Sequence, residues 1–441
     1  MNANKDIRQH LFPARVSDGR GNPIARQLSP ALLAVAMGCA IVPAPARADW
    51  PQILGPNRDG VAAADNSVPR WSDDDPKPVW EYPVGQGYAG VAVASDRVIL
   101  FHRRGNDEIV ECLGASTGKP MWRHDWPTRF DGGYDPDAGP RCVPLIRDDS
   151  VYLHGAGGTI VCVGLTDGRP RWTRDTAKDF GAREGYFGAA SSPILEQDKL
   201  IVNVGGRDQA SVIALDAKTG KTVWTTWEDE ASYSSPIATA IAGRRWVLMV
   251  TRLHFVGIDP QSGKIGFQVP FGRSGPTVNG AMPLLVSPHQ VFLTASYGVG
   301  ARLVDIDDGA AKVVYERDDL MSSQYATGVV HDGVLYGLDG REDVGTPQLR
   351  AIDPLTGKVF WTKPDFGAAA LILVDDAVVS ITTKGDCIVL AADRHAYREL
   401  SRVRLRSGLT RALPALSSGR LYVRDDRRLA CFTLTGNAAA E

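Results

Sequence analysis

At residues 218–224 the chain reads Lys-Thr-Gly-Lys-Thr-Val-Trp, and this stretch recurs along the sequence. Close copies are Ser-Thr-Gly-Lys-Pro-Met-Trp at 116–122 and Leu-Thr-Gly-Lys-Val-Phe-Trp at 355–361. Weaker copies lie at 166–172, 261–267 and 308–315. Such a repeat indicates an architecture assembled from similar units, each too small to bury its apolar face alone.

The aromatic residue at the end of each copy recurs at intervals of 42 to 52 residues. These aromatic residues are Trp80, Trp122, Trp172, Trp224, Phe267, Tyr315 and Trp361. One interval contains four short strand-like runs, separated by Gly or Asp turns, at 192–195, 200–204, 211–215 and 222–226. Because helical periodicity is nearly absent, this spacing predicts a β-propeller rather than a helical solenoid.

The number of blades follows from what remains at the two ends of the chain. Residues 366–405 supply a seventh unit, whereas residues 410–434 supply only three strands of an eighth. Residues 78–84 carry Trp80 but have no strands before them, so they match the missing fourth strand. We therefore predict an all-β fold, an eight-bladed propeller of four-stranded blades closed by the N-terminal strand, since closure removes exposed edges.

Residues 1–48 are predicted to be a secretory signal peptide. A basic segment precedes an apolar run at 31–42, and small residues precede a cleavage position after Ala48. The run is too short for a membrane span, which needs roughly 20 residues. A lipid anchor at Cys39 remains the alternative. We expect residues 49–441 to form one periplasmic or secreted domain, a monomer without a transmembrane segment.

Charge and metal-binding residue types exclude several classes of function. Without residues 1–48 the chain has a net charge of −6, which offers no attraction for nucleic acid or anionic lipid. No Cys-x-x-Cys motif or closely spaced His pair is present, so neither a metal site nor covalent haem is predicted. The cysteines after residue 48 are expected to be core thiols, without a Cys112–Cys162 disulfide: Cys112, Cys142, Cys162, Cys387 and Cys431.

The Asp-x-x-Thr-Gly-Lys-x-x-Trp pattern resembles the repeat of pyrroloquinoline-quinone (PQQ) type propellers. This superfamily includes quinoprotein alcohol dehydrogenases and the outer-membrane assembly lipoprotein of the BamB type. The sequence Trp-Pro-Gln-Ile-Leu-Gly-Pro-Asn-Arg-Asp-Gly at 50–60 also resembles secreted PQQ-like propellers of environmental bacteria. The resemblance implies that each repeat Trp packs against the neighbouring blade, and is therefore core.

The resemblance also implies two alternative functions. One is a quinoprotein oxidoreductase that binds PQQ, with calcium, and oxidises an alcohol or sugar. The other is a BamB-like assembly factor that binds partner proteins. The adjacent Cys-Cys pair that family dehydrogenases place over the quinone is absent from this sequence. Neither a PQQ-dependent activity nor any catalytic residue can be assigned from the sequence.

Alignment of the blades predicts a ring of side chains where the inner strands begin, at one mouth of the axial channel. The ring and the positions next to it hold Tyr88, Arg141, Tyr233, Asn279, Gln324, Tyr325 and Arg411. The loop at 175–188 is expected to cover the same mouth and to add Arg183, Glu184 and Tyr186. Another loop, at 124–140, is expected to end in a solvated acidic turn containing Asp135.

These residue types favour a binding or scaffold propeller with a ligand site at the mouth. Arg offers paired donors to carboxylate or phosphate, and Tyr offers a flat apolar face with a hydroxyl group. The ligand is therefore predicted to be a small anionic or polyhydroxylated molecule, with a protein partner as the alternative. Arg141 and Arg411 are expected to repel each other, with Glu184 as the nearby carboxylate. The same side chains would also serve as a structural plug of the channel.

Overall fold

The computed structural model describes residues 49–64, 66–71, 76–275 and 277–434. The predicted signal peptide lies outside these residues. The described chain forms eight four-stranded antiparallel sheets and one short helix, α1 (Thr176–Phe180). No helix within these ranges is long and apolar enough to cross a bilayer. The eight sheets are arranged as a ring of blades, which confirms the predicted propeller.

The first strand, β1 (Trp80–Pro83), belongs to the last blade. Blade 1 comprises, from the axis outward, β2 (Ala92–Ala94), β3 (Arg97–Arg104), β4 (Asp107–Gly114) and β5 (Pro120–Pro127). Blade 2 comprises β6 (Leu145–Arg147), β7 (Ser150–His154), β8 (Thr159–Gly164) and β9 (Pro170–Asp175). Blade 3 comprises β10 (Ile194–Glu196), β11 (Lys199–Asn203), β12 (Val212–Asp216) and β13 (Thr222–Thr226). Blade 4 comprises β14 (Ile237–Ile241), β15 (Arg244–Val250), β16 (His254–Ile258) and β17 (Ile265–Pro270).

The remaining blades follow the same order. Blade 5 comprises β18 (Leu284–Ser287), β19 (Gln290–Ala295), β20 (Gly300–Asp307) and β21 (Ala310–Arg317). Blade 6 comprises β22 (Val329–His331), β23 (Val334–Asp339), β24 (Gln348–Asp353) and β25 (Lys358–Lys363). Blade 7 comprises β26 (Ala369–Val374), β27 (Ala377–Thr382), β28 (Asp386–Ala391) and β29 (Glu399–Arg404). Blade 8 comprises β30 (Ala415–Ser417), β31 (Arg420–Arg424), β32 (Arg428–Thr433) and β1.

The first and last strands of the propeller meet in blade 8, as predicted. Strand β1 pairs antiparallel with β32, with Trp80 opposite Cys431. The Trp80 indole is 9% exposed, and its Nε1 donates a hydrogen bond to the Ala115 carbonyl of blade 1 at 2.9 Å. The ring is therefore closed both by strand pairing and by a side chain that reaches the next blade.

The repeat motif joins neighbouring blades through a Trp–Gly contact. The indoles of Trp80, Trp122, Trp172 and Trp224 each lie on a turn glycine of the following blade. A Cβ on those glycines would lie between 2.4 and 2.7 Å from the ring, and their φ angles are between +65° and +73°. Glycine is therefore required at these turns both for backbone conformation and for space.

We expect Gly220→Ala to destabilise the propeller more than Gly243→Ala does. Both glycines have positive φ, +68° and +75°, but the Cβ at 220 meets Trp172 at 2.6 Å whereas the Cβ at 243 meets nothing within 4 Å. The difference in free energy of unfolding should be about 1–3 kcal/mol, the usual cost of overpacking. Urea titration of both variants measures it. Equal losses would show that the indole contact contributes nothing.

The hydrophobic core lies between the blades rather than on the axis. Between blades 2 and 3, Leu145 and Trp172 pack with Leu200 and Ile213 in one buried cluster. All five cysteines among the described residues are free and buried, Cys112 and Cys162 included.

The segment 50–62 crosses the propeller axis, a feature that the sequence did not predict. Trp50 exchanges backbone hydrogen bonds with Val93 of blade 1, and Arg58 donates to the Ser192 carbonyl beside blade 3. Val61 forms a bridge to Leu373 of blade 7. Blades 3 and 7 are opposite each other in an eight-membered ring, so a segment that contacts both must span the channel.

Candidate functional site

An axial cavity of about 570 Å³ lies where the inner strands begin. Its aromatic lining consists of Tyr88, Tyr134, Tyr186, Phe187, Tyr233, Tyr297 and Tyr325. Its charged lining consists of Asp135, Arg141, Arg341, Glu342, Asp343 and Arg411. Ile53, from the segment that crosses the axis, also lines the cavity together with apolar Val278, Met282 and Leu413. The volume falls within the range of roughly 300–1,000 Å³ that is typical of small-molecule sites.

Seven of the ten residues predicted for the mouth line this cavity: Tyr88, Arg141, Tyr186, Tyr233, Gln324, Tyr325 and Arg411. Asn279 does not, because it is buried and its Nδ2 donates to the carbonyls of Thr251 and Arg252 at 3.3 and 2.9 Å. Arg183 and Glu184 are exposed and do not line the cavity either. Their loop turns Tyr186 and Phe187 inward instead. Whether the cavity binds a ligand stays a prediction.

Several lining residues are absent from the sequence prediction. Tyr297 follows β19, and Arg341, Glu342 and Asp343 follow β23, so both groups lie in connections between the second and third strands of a blade. Such connections lie on the same face of the propeller as those that lead to the next inner strand. The cluster Arg-Glu-Asp in a loop on this face is the signal that would have identified them.

Each guanidinium group in the cavity already has a carboxylate partner. Arg411 lies 3.3 Å from Asp135 Oδ2 and 3.3 Å from Glu342 Oε2. Arg141 lies 3.8 Å from Asp137 Oδ1 and donates to the Asp137 carbonyl at 2.7 Å. The carboxylates that neutralise the two arginines are therefore Asp135, Asp137 and Glu342, and Glu184, which the sequence suggested for this role, is not among them.

The acidic turn of the loop between β5 and β6, predicted at 124–140, is part of the site rather than a solvated surface. The Asp135 side chain is 16% exposed, and its Oδ1 accepts from the Asp137 amide at 2.9 Å. Asp137 Oδ2 in turn accepts from the Gly87 amide at 2.8 Å. These bonds hold the loop against the start of blade 1 and place a carboxylate beside Arg411.

The third arginine of the cavity also has a carboxylate partner. Arg341 forms a two-pronged pair with Asp343, in which Nε lies 3.0 Å from Oδ1. Burial disfavours the charged form of Arg411, yet Glu342, Tyr325 and Tyr88 together outweigh it and raise the pKa of Arg411 above its ordinary value. Each of the three arginines of the cavity has a carboxylate beside it and is therefore not free to neutralise an incoming anion.

The tyrosines present aromatic rings and hydroxyl groups to the cavity. The Tyr325 hydroxyl already donates to Glu342 Oε2 at 2.9 Å, and the Tyr88 hydroxyl donates to Asp135 Oδ1 at 3.4 Å. The guanidinium groups of Arg141 and Arg411 both lie over the Tyr88 ring, with centres 5.3 and 5.4 Å from its centroid. Burial raises the pKa of Tyr88, Tyr233 and Tyr325, so these hydroxyls stay protonated at neutral pH. Tyr233 Oη accepts from the Phe187 amide at 3.0 Å, which leaves its own proton for another acceptor.

The comparisons with known proteins agree with this architecture. The blades and their Thr-Gly-Lys-x-x-Trp motif define a β-propeller of the PQQ-repeat class, as the resemblance implied. The family model described as outer membrane protein assembly factor BamB matches residues 106–363, and the chain belongs to this family. No curated protein sequence matches the chain.

Solved structures of similar fold include both branches of the superfamily. BamB from Moraxella catarrhalis is 16% identical at a TM-score of 0.60, over 81% of this chain and 97% of that one. A europium-containing methanol dehydrogenase is 11% identical at a TM-score of 0.63, over 85% and 89%. The quinohemoprotein alcohol dehydrogenase ADHIIG from Pseudomonas putida HK5 is 14% identical at a TM-score of 0.53, over 89% and 81%. At these identities the likeness shows the fold alone.

Proposed function

We propose that this protein is a binding propeller whose axial cavity holds a small neutral polyhydroxylated ligand of the sugar class. The observation that carries the proposal is the combination of seven aromatic residues with charged groups that already neutralise one another. Sugar rings have an apolar face that packs on aromatic side chains, and hydroxyl groups that bond to fixed polar atoms. Tyrosine rings and their hydroxyls offer both at once.

A neutral ligand is favoured over the anionic one that the residue types alone allowed. An anion bound by Arg411 would lie beside Asp135 and Glu342, which are 3.3 Å from its guanidinium and would repel the anion. A hydroxyl group avoids this cost, because it donates to the carboxylate or accepts from the guanidinium without breaking the pair.

The residues of the cavity do not fit PQQ. PQQ carries three carboxylate groups, and among the described residues that line the cavity every cation has a carboxylate partner of its own. The described part of the chain also contains no group of three or more His, Cys, Asp or Glu residues placed to hold a metal ion such as calcium. We therefore derive no oxidation step for this site.

We also propose that the protein is located outside the cytoplasm. It is supported by the signal-like sequence of residues 1–48 and by membership of a family described by outer membrane protein assembly. A ligand of the sugar class is consistent with that location, since glycans are abundant at the cell surface.

The test replaces two tyrosines at the rim of the cavity. Tyr134 and Tyr186 form an edge-to-face pair with centroids 5.2 Å apart, and they are 73% and 38% exposed, so Tyr134→Ala with Tyr186→Ala should not unfold the protein. Calorimetric titration with a panel of neutral sugars and sugar acids measures affinity. We expect a neutral sugar to bind the wild type, and the double variant to bind it at least about tenfold more weakly.

Met121→Ala is the matched control, because Met121 is 52% exposed on an outer strand away from the cavity. Its affinity should equal that of the wild type. Binding of sugar acids alone would contradict the neutral class, and the absence of binding across the panel would contradict the proposal as a whole.

A second candidate function is assistance in outer membrane protein assembly, which the family match favours. In that case the exposed Tyr134–Tyr186 pair would contact a polypeptide rather than a sugar. A reconstituted assembly reaction with the same double variant distinguishes the two candidates. Loss of assembly without any sugar binding by the wild type would favour the second.

A further inference from the structure

A second open space lies beside the axial cavity, on the other side of Tyr297 and Arg341. This groove has a volume of about 610 Å³ and is lined by Thr277, Ser296, Ser322, Gly340 and Val344 together with those two residues. Tyr297 and Arg341 line both spaces. The cavity and the groove are therefore neighbours that share one wall.

The shared wall is held in a single arrangement. The Arg341 guanidinium stacks on the Tyr297 ring at 4.0 Å from its centroid and pairs with Asp343. The Tyr297 hydroxyl accepts from Gln324 Nε2 at 3.2 Å. Tyr297 also has a φ of +63°, which is unusual for a bulky side chain and marks a position where the surroundings enforce the conformation.

The groove is lined mainly by small polar residues and glycines, and the Arg273 guanidinium lies beside Gly298 at its edge. The Thr277 hydroxyl donates to the Arg273 carbonyl at 2.7 Å, and the Ser322 hydroxyl donates to the Asp318 carbonyl at 3.3 Å. Arg341, the charged residue among those that line the groove, is neutralised by Asp343. Hydroxyl-bearing residues and glycines therefore make up most of this surface.

We infer that the binding site takes an extended chain of sugar units, with one unit in the axial cavity and the next units over the Tyr297–Arg341 wall in the groove. This inference rests on the proposed function, because it requires the cavity to hold a sugar. The Arg341 guanidinium covers one face of the Tyr297 ring, so the wall offers a planar group with N–H donors to a sugar ring that leaves the cavity. The small residues beyond it leave room for the following units.

An extended peptide fits the groove less well than a glycan does. A peptide binds such a surface by adding a strand to a free backbone edge. At this groove the backbone is already paired, because Ser323 and Gly340 form a bridge and the Gly340 amide donates to the Ser322 carbonyl at 3.1 Å. The occupant must therefore be recognised by its rings and hydroxyls.

The experiment measures affinity against chain length. The probes are neutral series of one to six units: β-1,4-linked glucose, α-1,4-linked glucose and β-1,4-linked N-acetylglucosamine. We expect at least about tenfold tighter binding of a trisaccharide than of the corresponding monosaccharide by the wild type. V344W, which fills the groove at a side chain that is 71% exposed, should remove this ratio.

V223W is the matched control, because Val223 is 47% exposed on an outer strand and lines neither space. It should keep the full dependence on length. Equal affinity for all lengths in the wild type, or an unchanged ratio in V344W, would overturn the extended site while leaving the axial sugar site intact. Failure of every length to bind would instead overturn the proposed function.

Discussion

Replacing Trp80 by alanine should lower the free energy of unfolding by about 3–5 kcal/mol, the usual cost of deleting a large buried aromatic side chain. The indole is 9% exposed, packs on Gly118 of blade 1 and donates to the Ala115 carbonyl at 2.9 Å. Because β1 has only four residues, this side chain supplies much of what holds the closing strand in blade 8. Urea unfolding of the variant measures the loss.

Trp361→Ala is the matched control for closure, because Trp361 occupies the same place in blade 6 and donates to the Asp393 carbonyl at 2.8 Å. The strand that carries Trp361 follows the other strands of blade 6 directly along the chain. Loss of the Trp361 side chain should therefore not free a strand. Hydrogen exchange of β32 should therefore accelerate in the Trp80 variant only, and that variant should form oligomers through the exposed edge. Equal exchange of β32 in both variants would contradict a special role for the closing strand.

The ring of blades was predictable because its determinants are local and repeated. Asp216 accepts from the amide and hydroxyl of Thr219 within one turn, and the following Gly220 allows the positive φ. Blade 5 keeps the same contact with a different residue, since the Tyr315 hydroxyl donates to the Pro354 carbonyl at 2.6 Å. Repetition therefore reveals the fold even where single positions change.

In blade 4 the local repeat pattern is not sufficient to predict how the blade packs. Phe267 cannot donate the hydrogen bond that a Trp makes, and Trp246 from the second strand packs against it at 5.4 Å between centroids. Gly266 makes room, because a Cβ there would lie 2.2 Å from the Trp246 ring. In blade 4 a Trp on the second strand thus compensates for the missing Trp on the fourth strand. The spacing of the repeat in the sequence does not predict this change.

The candidate site was predicted in part for the same reason. Positions repeated in every blade, such as Tyr88 and Tyr325, could be placed by alignment. The carboxylates could not, because Glu342 lies in a connection within blade 6, and Asp135 meets Arg411 only through closure of the ring and the path of a long loop. The segment 50–62, whose Ile53 forms the floor of the cavity, was also missed. It precedes the first repeat and matches none of the repeat's patterns.

Arg58→Met should release the segment that crosses the axis and lower the free energy of unfolding by about 2–4 kcal/mol. Arg58 is 3% exposed and donates to the carbonyls of Pro193 at 2.9 Å and Ser192 at 3.2 Å. Methionine fills the space but leaves both buried carbonyls without their donor, at about 1–3 kcal/mol each. Burial lowers the pKa of Arg58 to about 9, so removal of the charge offsets part of this loss.

The same substitution should weaken sugar binding, because Ile53 on the released segment lines the cavity. Arg402→Met is the control: Arg402 is exposed and pairs with Glu399, so its loss should cost less than about 1 kcal/mol and leave binding unchanged. Urea unfolding and hydrogen exchange of residues 50–62 measure both effects. Because Arg58 contacts blade 3 and Val61 contacts blade 7, faster exchange should extend along the segment between them. Unchanged exchange and stability in Arg58→Met would mean that the other contacts of the segment suffice to fix the floor of the cavity.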